Sequence, residues 1–128
     1  MLKLGYALLY VDDVEKTMAF YSSAFGFEAG FLHDSKQYGE MKTGATKLGF
    51  VAHATASSHG FEYDRMNLEK KAAAFELGLT AEDVPKAFRR AVQAGALAVA
   101  PPNTKPWGQI VSYVRDCNGF LVEICSPM

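Results

Sequence analysis

The sequence contains one pattern twice, and the two copies are seventy residues apart, as Val14 and Val84 show. Each copy opens with an apolar, β-prone run, Leu4 to Val11 in the first and Phe75 to Ala81 in the second. Apolar residues then follow at intervals of three or four, which places them on one face of a helix: Val14, Met18, Tyr21 and Phe25, then Val84, Phe88 and Ala91. The repeat predicts two copies of a strand that leads into an amphipathic helix.

Short polar and glycine signals mark the ends of both predicted helices. Asp12 and, three residues later, Glu15 resemble a capping box, and Thr80 to Asp83 carries the corresponding signal in the second copy. Gly26 and Gly95 follow the last apolar residues and indicate the helix ends. These signals therefore predict where each of the two helices begins and ends.

Three further strand-like stretches follow each helix. They are Phe27 to His33, Gln37 to Lys42 and Lys47 to His53 in the first copy, and Leu97 to Ala100, Gln109 to Arg115 and Phe120 to Cys125 in the second. Asn118-Gly119 indicates a tight hairpin before the last strand, because this dipeptide tolerates the positive φ that such turns need. Each copy is therefore predicted to be β-α-β-β-β.

The segment 54–73 separates the two copies. It is rich in small, polar and charged residues and shows no sustained strand alternation, so we interpret it as a linker with one short helical turn at 67–71. The prediction is a single domain over residues 1–128, with module 1 at 1–53 and module 2 at 74–128.

Composition excludes several classes of function. Thirteen basic and fourteen acidic residues leave a net charge of −1 without a basic run, which argues against nucleic acid or an anionic membrane as a partner. The uncharged runs are too short and too broken by Gly, Ser or Pro to span a membrane. Two cysteines, Cys117 and Cys125, are too few for a secreted disulfide framework, so we expect a cytoplasmic protein.

Both ends of the chain carry the signatures of a known family. The run VDDVEKTMAFY, from Val11 to Tyr21, resembles the opening signature of the vicinal oxygen chelate superfamily, which includes glyoxalase I, bleomycin-resistance proteins and extradiol dioxygenases. The tail is similar to its closing signature: Pro106 to Gln109, Tyr113 to Asp116 and Gly119 to Pro127. The resemblance implies an α+β fold in which two βαβββ modules form a cup-shaped, half-open mixed sheet, usually completed in a homodimer.

The resemblance also implies four positions that hold a divalent metal in the family's enzymes. Here they are Tyr6, Phe50, Glu76 and Glu123, and the repeat pairs Tyr6 with Glu76 and, with a small offset, Phe50 with Glu123. Phe50 cannot bind a metal, Tyr6 keeps its proton at a reference pKa of about 10, and His53 is expected on the other face of the strand from Phe50. We therefore expect no cofactor, with Glu76 and Glu123 as the only ligands if a divalent metal binds.

The predicted ligand pocket is aromatic on one side and acidic on the other. It comprises Tyr6, Tyr10, Phe50, Glu76, Trp107 and Glu123. Trp107 is the only tryptophan, and its neighbours Pro106 and Gly108 are typical of a turn that holds a ring over a cavity. Two alternatives stay open: Trp107 plugs a sheet edge or a dimer contact, and Glu123 is a wall residue paired with Arg115, a lysine or a backbone amide.

Two functions follow from this pocket. The first is a small-molecule-binding protein of the bleomycin-resistance kind, without the standard metal centre, that holds an aromatic or cationic ligand in a dimeric cup. The second is a metal-dependent lyase resembling glyoxalase I, in which Glu123 is the catalytic residue. The absence of ligating side chains at two of the four positions favours the first.

Overall fold

The structure, a computed structural model, describes all residues from Met1 to Met128. The chain divides into two compact units, Met1–Arg65 and Met66–Met128. The boundary between the units falls inside the segment 54–73 that the sequence indicates as a linker. Each unit contains one copy of the repeat.

The first unit is a four-stranded sheet with one long helix. Its elements are β1 (Tyr6–Val11), α1 (Val14–Phe25), β2 (Ala29–Leu32), β3 (Tyr38–Met41), β4 (Lys47–Ala52) and the short helix α2 (His53–Ser57). The strand order is β1-β4-β3-β2. The pairing of β1 with β4 is parallel and the other two pairings are antiparallel, so the sheet is mixed.

The second unit repeats this arrangement. Its elements are β5 (Glu76–Thr80), α3 (Val84–Gln93), β6 (Leu97–Thr104), β7 (Ile110–Arg115) and β8 (Leu121–Cys125). The order β5-β8-β7-β6 again combines one parallel pairing with two antiparallel ones. The predicted α+β fold of two β-α-β-β-β copies is confirmed.

The two long helices begin at equivalent aspartates. The Oδ1 atom of Asp13 accepts a hydrogen bond from the Lys16 backbone N–H at 3.0 Å, and that of Asp83 accepts one from Lys86 at 3.1 Å. The first cap is therefore Asp13, one residue later than the Asp12 of the predicted capping box. Gly26 ends α1 with φ 78°, a left-handed conformation that glycine adopts without strain. None of the helices is long and apolar enough to cross a membrane.

Each sheet packs its own helix against one face. In the first unit, Leu9 and Val11 of β1 are buried on that face, together with Tyr21 of α1. In the second unit, Val122 and Ile124 of β8 are buried with Val84 and Ala91 of α3. Because successive strand side chains point to opposite faces, the residues between them lie on the other face, which we call the helix-free face of each sheet.

The segment 54–73 is more ordered than the sequence indicates. The helix α2 continues directly from β4 and was not predicted. At 67–71 the structure has a turn in place of a helix, because the Asn67 side-chain oxygen accepts hydrogen bonds from the backbone N–H groups of Glu69 and Lys70 at 2.9 and 3.1 Å.

Candidate functional site

Four ionisable side chains meet on the helix-free face of the second unit. Glu123 of β8 is at the centre and lies opposite Tyr113 of β7. The Tyr113 hydroxyl donates a hydrogen bond to Glu123 Oε1 at 3.0 Å. Hydrogen bonds also join the Glu123 carboxylate to Glu76 of β5 and to the Cys125 thiol. We call these four residues the carboxyl cluster.

Glu76, Tyr113 and Cys125 of the carboxyl cluster have raised pKa values. Although the residue is exposed, desolvation of its carboxyl group raises the pKa of Glu76, and the hydrogen bond to Glu123 and the charge of Glu123 raise it further. Burial, followed by the hydrogen bond to Glu123, raises the pKa of Tyr113 to about 12 and that of Cys125 to about 11. The phenol and the thiol are therefore neutral donors at neutral pH, and Cys125 is not a thiolate nucleophile.

The first unit contains a similar tyrosine–carboxylate contact, but a lysine neutralises it. The Tyr38 hydroxyl donates a hydrogen bond to Glu40 Oε2 at 2.7 Å, and the Lys47 ammonium is 3.6 Å from Glu40 Oε1. Glu123, by contrast, contacts a second carboxyl group, a phenol and a thiol, none of which carries a positive charge. The helix-free face of the second sheet therefore presents a carboxylate without a neighbouring cation, whereas the carboxylate on the first is paired with a lysine.

Arg115 does not pair with Glu123, so that one of the three alternative partners is wrong. Its guanidinium group donates to three backbone carbonyl oxygens: Gly119 at 2.8 Å, Asn67 at 3.0 Å and Leu68 at 3.5 Å. These contacts fasten the start of the second unit to the β7–β8 hairpin. Arg115 is structural, and Glu123 is left without a cation from this side chain.

The expectation that Phe50 faces the ligand pocket is also wrong. Phe50 is fully buried, lies opposite Leu9 in β1, and packs on Tyr21 of α1 with ring centroids 4.9 Å apart. The residue before it, Gly49, lies opposite Leu8 of β1 and Glu40 of β3. Gly49 is thus the counterpart of Glu123, which lies opposite Gly78 of β5 and Tyr113 of β7.

The two predicted tyrosines lie on the helix-free face of the first sheet. Tyr6 is 54% exposed at the start of β1. Tyr10 packs against two rings of the segment after α2, with centroid distances of 4.9 Å to Tyr63 and 6.4 Å to Phe61. The sequence did not indicate these partners, because nothing in 54–73 has the periodicity of a strand or helix that would place it against β1.

Trp107 occupies the turn between β6 and β7. The backbone N–H of Gly108 donates to the Lys105 carbonyl at 2.8 Å and closes the turn. The indole Nε1 donates to Gln109 Oε1 at 2.9 Å, and the Gln109 amide donates in turn to the Ser126 carbonyl at 2.8 Å. The ring is 63% exposed, so it is held in place without being packed into the core of its unit.

The residues at the four positions do not fit the metal centre of the family's enzymes. With the register corrected, these positions are Tyr6, Gly49, Glu76 and Glu123. Gly49 has no donor atom, and the Tyr6 phenol is a poor ligand while it keeps its proton. Glu76 and Glu123 share a hydrogen bond with each other, and the set contains no imidazole.

Comparisons with known proteins agree with this architecture. The sequence model of the Glyoxalase/Bleomycin resistance protein/Dioxygenase superfamily matches residues 3–124, and the chain therefore belongs to this superfamily. It is 28% identical over 125 residues to the uncharacterised protein YraH of Bacillus subtilis (strain 168), covering 96% of this chain and 97% of that protein.

Solved structures show the same fold. A glyoxalase-related enzyme from Fulvimarina pelagi superposes with a TM-score of 0.84 at 19% identity, covering 99% of this chain and 89% of that one. TioX from Micromonospora sp. ML1 superposes with a TM-score of 0.73 at 22% identity, covering 98% and 99%. At these identities the likeness establishes the fold, whereas function depends on the site.

Proposed function

We propose that this protein binds a small cationic molecule that carries an aromatic ring, without a metal, on the helix-free face of the second sheet. The observation that carries the proposal is the hydrogen-bonded pair of carboxyl groups, Glu76 and Glu123. The negative charge of Glu123 raises the pKa of Glu76, and a cation placed at the pair relieves the same repulsion that a proton relieves. Tyr113 and Cys125, which keep their protons, help to hold the Glu123 carboxylate in position.

The aromatic part of the proposed ligand is assigned to Trp107. The indole is exposed, yet its N–H is fixed through Gln109 to the backbone carbonyl of Ser126, just after the end of β8. A ring held in this way can stack on a flat ligand at a small cost in side-chain entropy, and it also attracts a cation placed over its face. The superfamily membership supports a small-molecule ligand but does not identify it.

The donor set argues against the second function, a metal-dependent lyase resembling glyoxalase I. In such an enzyme Glu123 would be the catalytic residue, and a metal ion would stabilise the reacting oxygen atoms. Two carboxylates provide at most half of the four protein ligands that the resemblance implies. In this structure the two carboxyl groups also interact with each other through a hydrogen bond. The cytoplasmic location expected from the cysteines stays a prediction.

The function is tested with benzyltrimethylammonium as the cationic probe and benzyl alcohol as the neutral control, on protein treated with a chelator. We expect saturable binding of the cation by calorimetry, together with a change in Trp107 emission. The affinity should rise with pH above 4.5, the ordinary pKa of the carboxyl group, by at most tenfold per pH unit, until Glu76 has lost its proton. The affinity rises with pH because the raised pKa of Glu76 lets a proton compete with the cation at this carboxyl group, and the proton is lost as the pH rises.

Benzyl alcohol should bind more weakly and show no pH dependence in this range. Two results would overturn the proposal: a cation affinity that does not change with pH, or a stoichiometric divalent metal whose return restores turnover of a glutathione hemithioacetal.

We further propose that the protein is a homodimer. Within its own unit, each sheet has two edge strands, and each edge strand is paired on one side only. These are β1 and β2 in the first sheet and β5 and β6 in the second. Unpaired edges expose backbone donors and acceptors that pairing with another chain satisfies. Sedimentation at micromolar concentration should give twice the mass of the chain, and a monomer under these conditions would contradict the assignment.

A further inference from the structure

The segment after β4 folds back on the first unit and is fastened there by a buried histidine. His53 is 5% exposed, and its Nδ1 atom is 2.7 Å from the hydroxyl oxygen of Tyr63. Its Nε2 atom is 3.5 Å from Asp12 Oδ1. In the neutral tautomer whose Nε2 proton faces the aspartate, Nδ1 accepts a hydrogen bond from the Tyr63 hydroxyl. The imidazole and phenol rings are also stacked, with centroids 5.7 Å apart.

Aromatic packing also holds Phe61 and Tyr63 of this segment. Tyr63 meets Tyr10 of β1 edge-on at 4.9 Å, and Phe61 lies 6.4 Å from Tyr10 and 6.3 Å from Tyr63. Phe61 is nevertheless 49% exposed. One edge of the segment is therefore anchored to the sheet, while an aromatic surface remains accessible to a ligand.

An open cleft of about 670 Å³ lies along this anchored segment, a volume within the usual range of small-molecule sites. Its lining residues are Ser57, Phe61, Glu62, Tyr63, Asp64 and Arg65. They supply two aromatic rings, one guanidinium group and two carboxylates. None of the chain's ion pairs involves Glu62, Asp64 or Arg65, so both signs of charge are available in the cleft.

We propose that this cleft binds a zwitterionic aromatic amino acid, with Arg65 pairing to its carboxylate, Glu62 and Asp64 to its ammonium group, and Phe61 and Tyr63 to its ring. A simple cation would leave the guanidinium unpaired, and a simple anion would face two carboxylates. Only a ligand that carries both charges and an apolar ring matches all three features of the lining. The positive charge of Arg65 reaches His53, where it contributes to lowering the pKa of the imidazole after the larger effect of burial.

The bonds of His53 give the cleft its shape before a ligand arrives. A neutral imidazole, favoured by the lowered pKa, keeps an acceptor for the Tyr63 hydroxyl at neutral pH. Tyr63 is thus a positioning residue for the cleft as well as part of its wall. A loop ordered in advance loses less conformational entropy when the ligand binds.

The test uses L-phenylalanine and two analogues that each lack one charge, 3-phenylpropionate and phenethylamine, in calorimetric titrations at neutral pH. L-phenylalanine should bind most tightly of the three. Arg65→Gln should weaken L-phenylalanine and 3-phenylpropionate by about tenfold, equivalent to 1.4 kcal/mol, and leave phenethylamine unchanged. The double variant Glu62→Gln, Asp64→Asn should have the reverse selectivity, with 3-phenylpropionate unaffected or improved.

Arg89→Gln is the matched control, because it removes an exposed arginine from α3 in the other unit and should change none of the three affinities. Arg65 is itself exposed, so thermal melting should be the same for both arginine variants. Failure of L-phenylalanine to bind at millimolar concentration, or an equal loss for all three probes in Arg65→Gln, would overturn the proposal. Glu123→Gln should leave L-phenylalanine binding intact, which separates this cleft from the carboxyl cluster.

Discussion

Replacing Gly119 by alanine should lower the free energy of unfolding by roughly 3 kcal/mol. Gly119 has φ +97°, a conformation that side chains other than glycine adopt only with strain. A methyl group at this position would also lie 2.7 Å from the backbone carbonyl of Asn67 and 2.9 Å from Nη2 of Arg115. Both the strain and the steric overlap destabilise the folded state, because the turn cannot relax without moving the segment that Arg115 holds.

Gly108→Ala separates these two causes. Gly108 lies in the same unit, has φ +94°, and has open space around the position of the added methyl group. Gly108→Ala should therefore lower the free energy of unfolding by the strain contribution alone, about 1 kcal/mol. Urea denaturation of both variants gives the comparison, and equal losses would show that the contact with Asn67 plays no part. A larger loss for Gly119→Ala would instead confirm that the Arg115 contacts rigidly hold the start of the second unit.

The fold could be predicted because the signals that specify it are local and occur twice. Apolar residues at intervals of three and four indicate α1 and α3, and the polar residues before them indicate where the helices begin, to within one residue for α1. Asn118-Gly119 indicates the β7–β8 turn, where the Gly119 N–H donates to the Asp116 carbonyl at 3.0 Å. The repetition then excludes most other topologies, because both copies must satisfy the same pattern.

The face of the sheet on which each side chain of β4 lies could not be predicted in the same way. Every residue from Leu48 to Ala52 is buried, so this strand lacks the alternation of polar and apolar residues that identifies a face. The alignment of Phe50 with Glu123 was wrong by one residue, and with a period of two such a slip exchanges the faces completely. Only the register with β1 and β3 identifies Gly49 as the residue on the helix-free face.

The residues of the candidate site were indicated only in part by the sequence, because the others depend on contacts between distant segments. Glu76 and Glu123 came from the repeat and from the family resemblance. Tyr113 became a partner of Glu123 only through the β7–β8 register, since the tyrosine alone gives no sign of its neighbour. His53 begins α2 and Tyr63 lies ten residues later, beyond the end of this helix, and no sequence pattern predicts their contact.

Glu123→Gln should weaken binding of benzyltrimethylammonium by at least about tenfold, because it removes one charge of the pair that holds the cation. Glutamine keeps an oxygen that can accept the hydrogen bond of the Tyr113 hydroxyl, so the free energy of unfolding should change little. Without the charge of Glu123, the pKa of Glu76 should fall towards its ordinary value. The remaining pH dependence of binding should therefore move to lower pH.

Glu40→Gln is the matched control for this prediction. Glu40 also accepts a hydrogen bond from a tyrosine, but its charge is already paired with Lys47, so its loss should leave the affinity for the cation unchanged. Calorimetric titrations of both variants at two pH values, with thermal melting in parallel, distinguish the outcomes. If both variants lose affinity equally, the effect is a general one of net charge. If Glu123→Gln lowers the melting temperature and leaves the affinity intact, Glu123 stabilises the fold and does not bind the cation, because loss of a binding carboxylate would weaken the affinity.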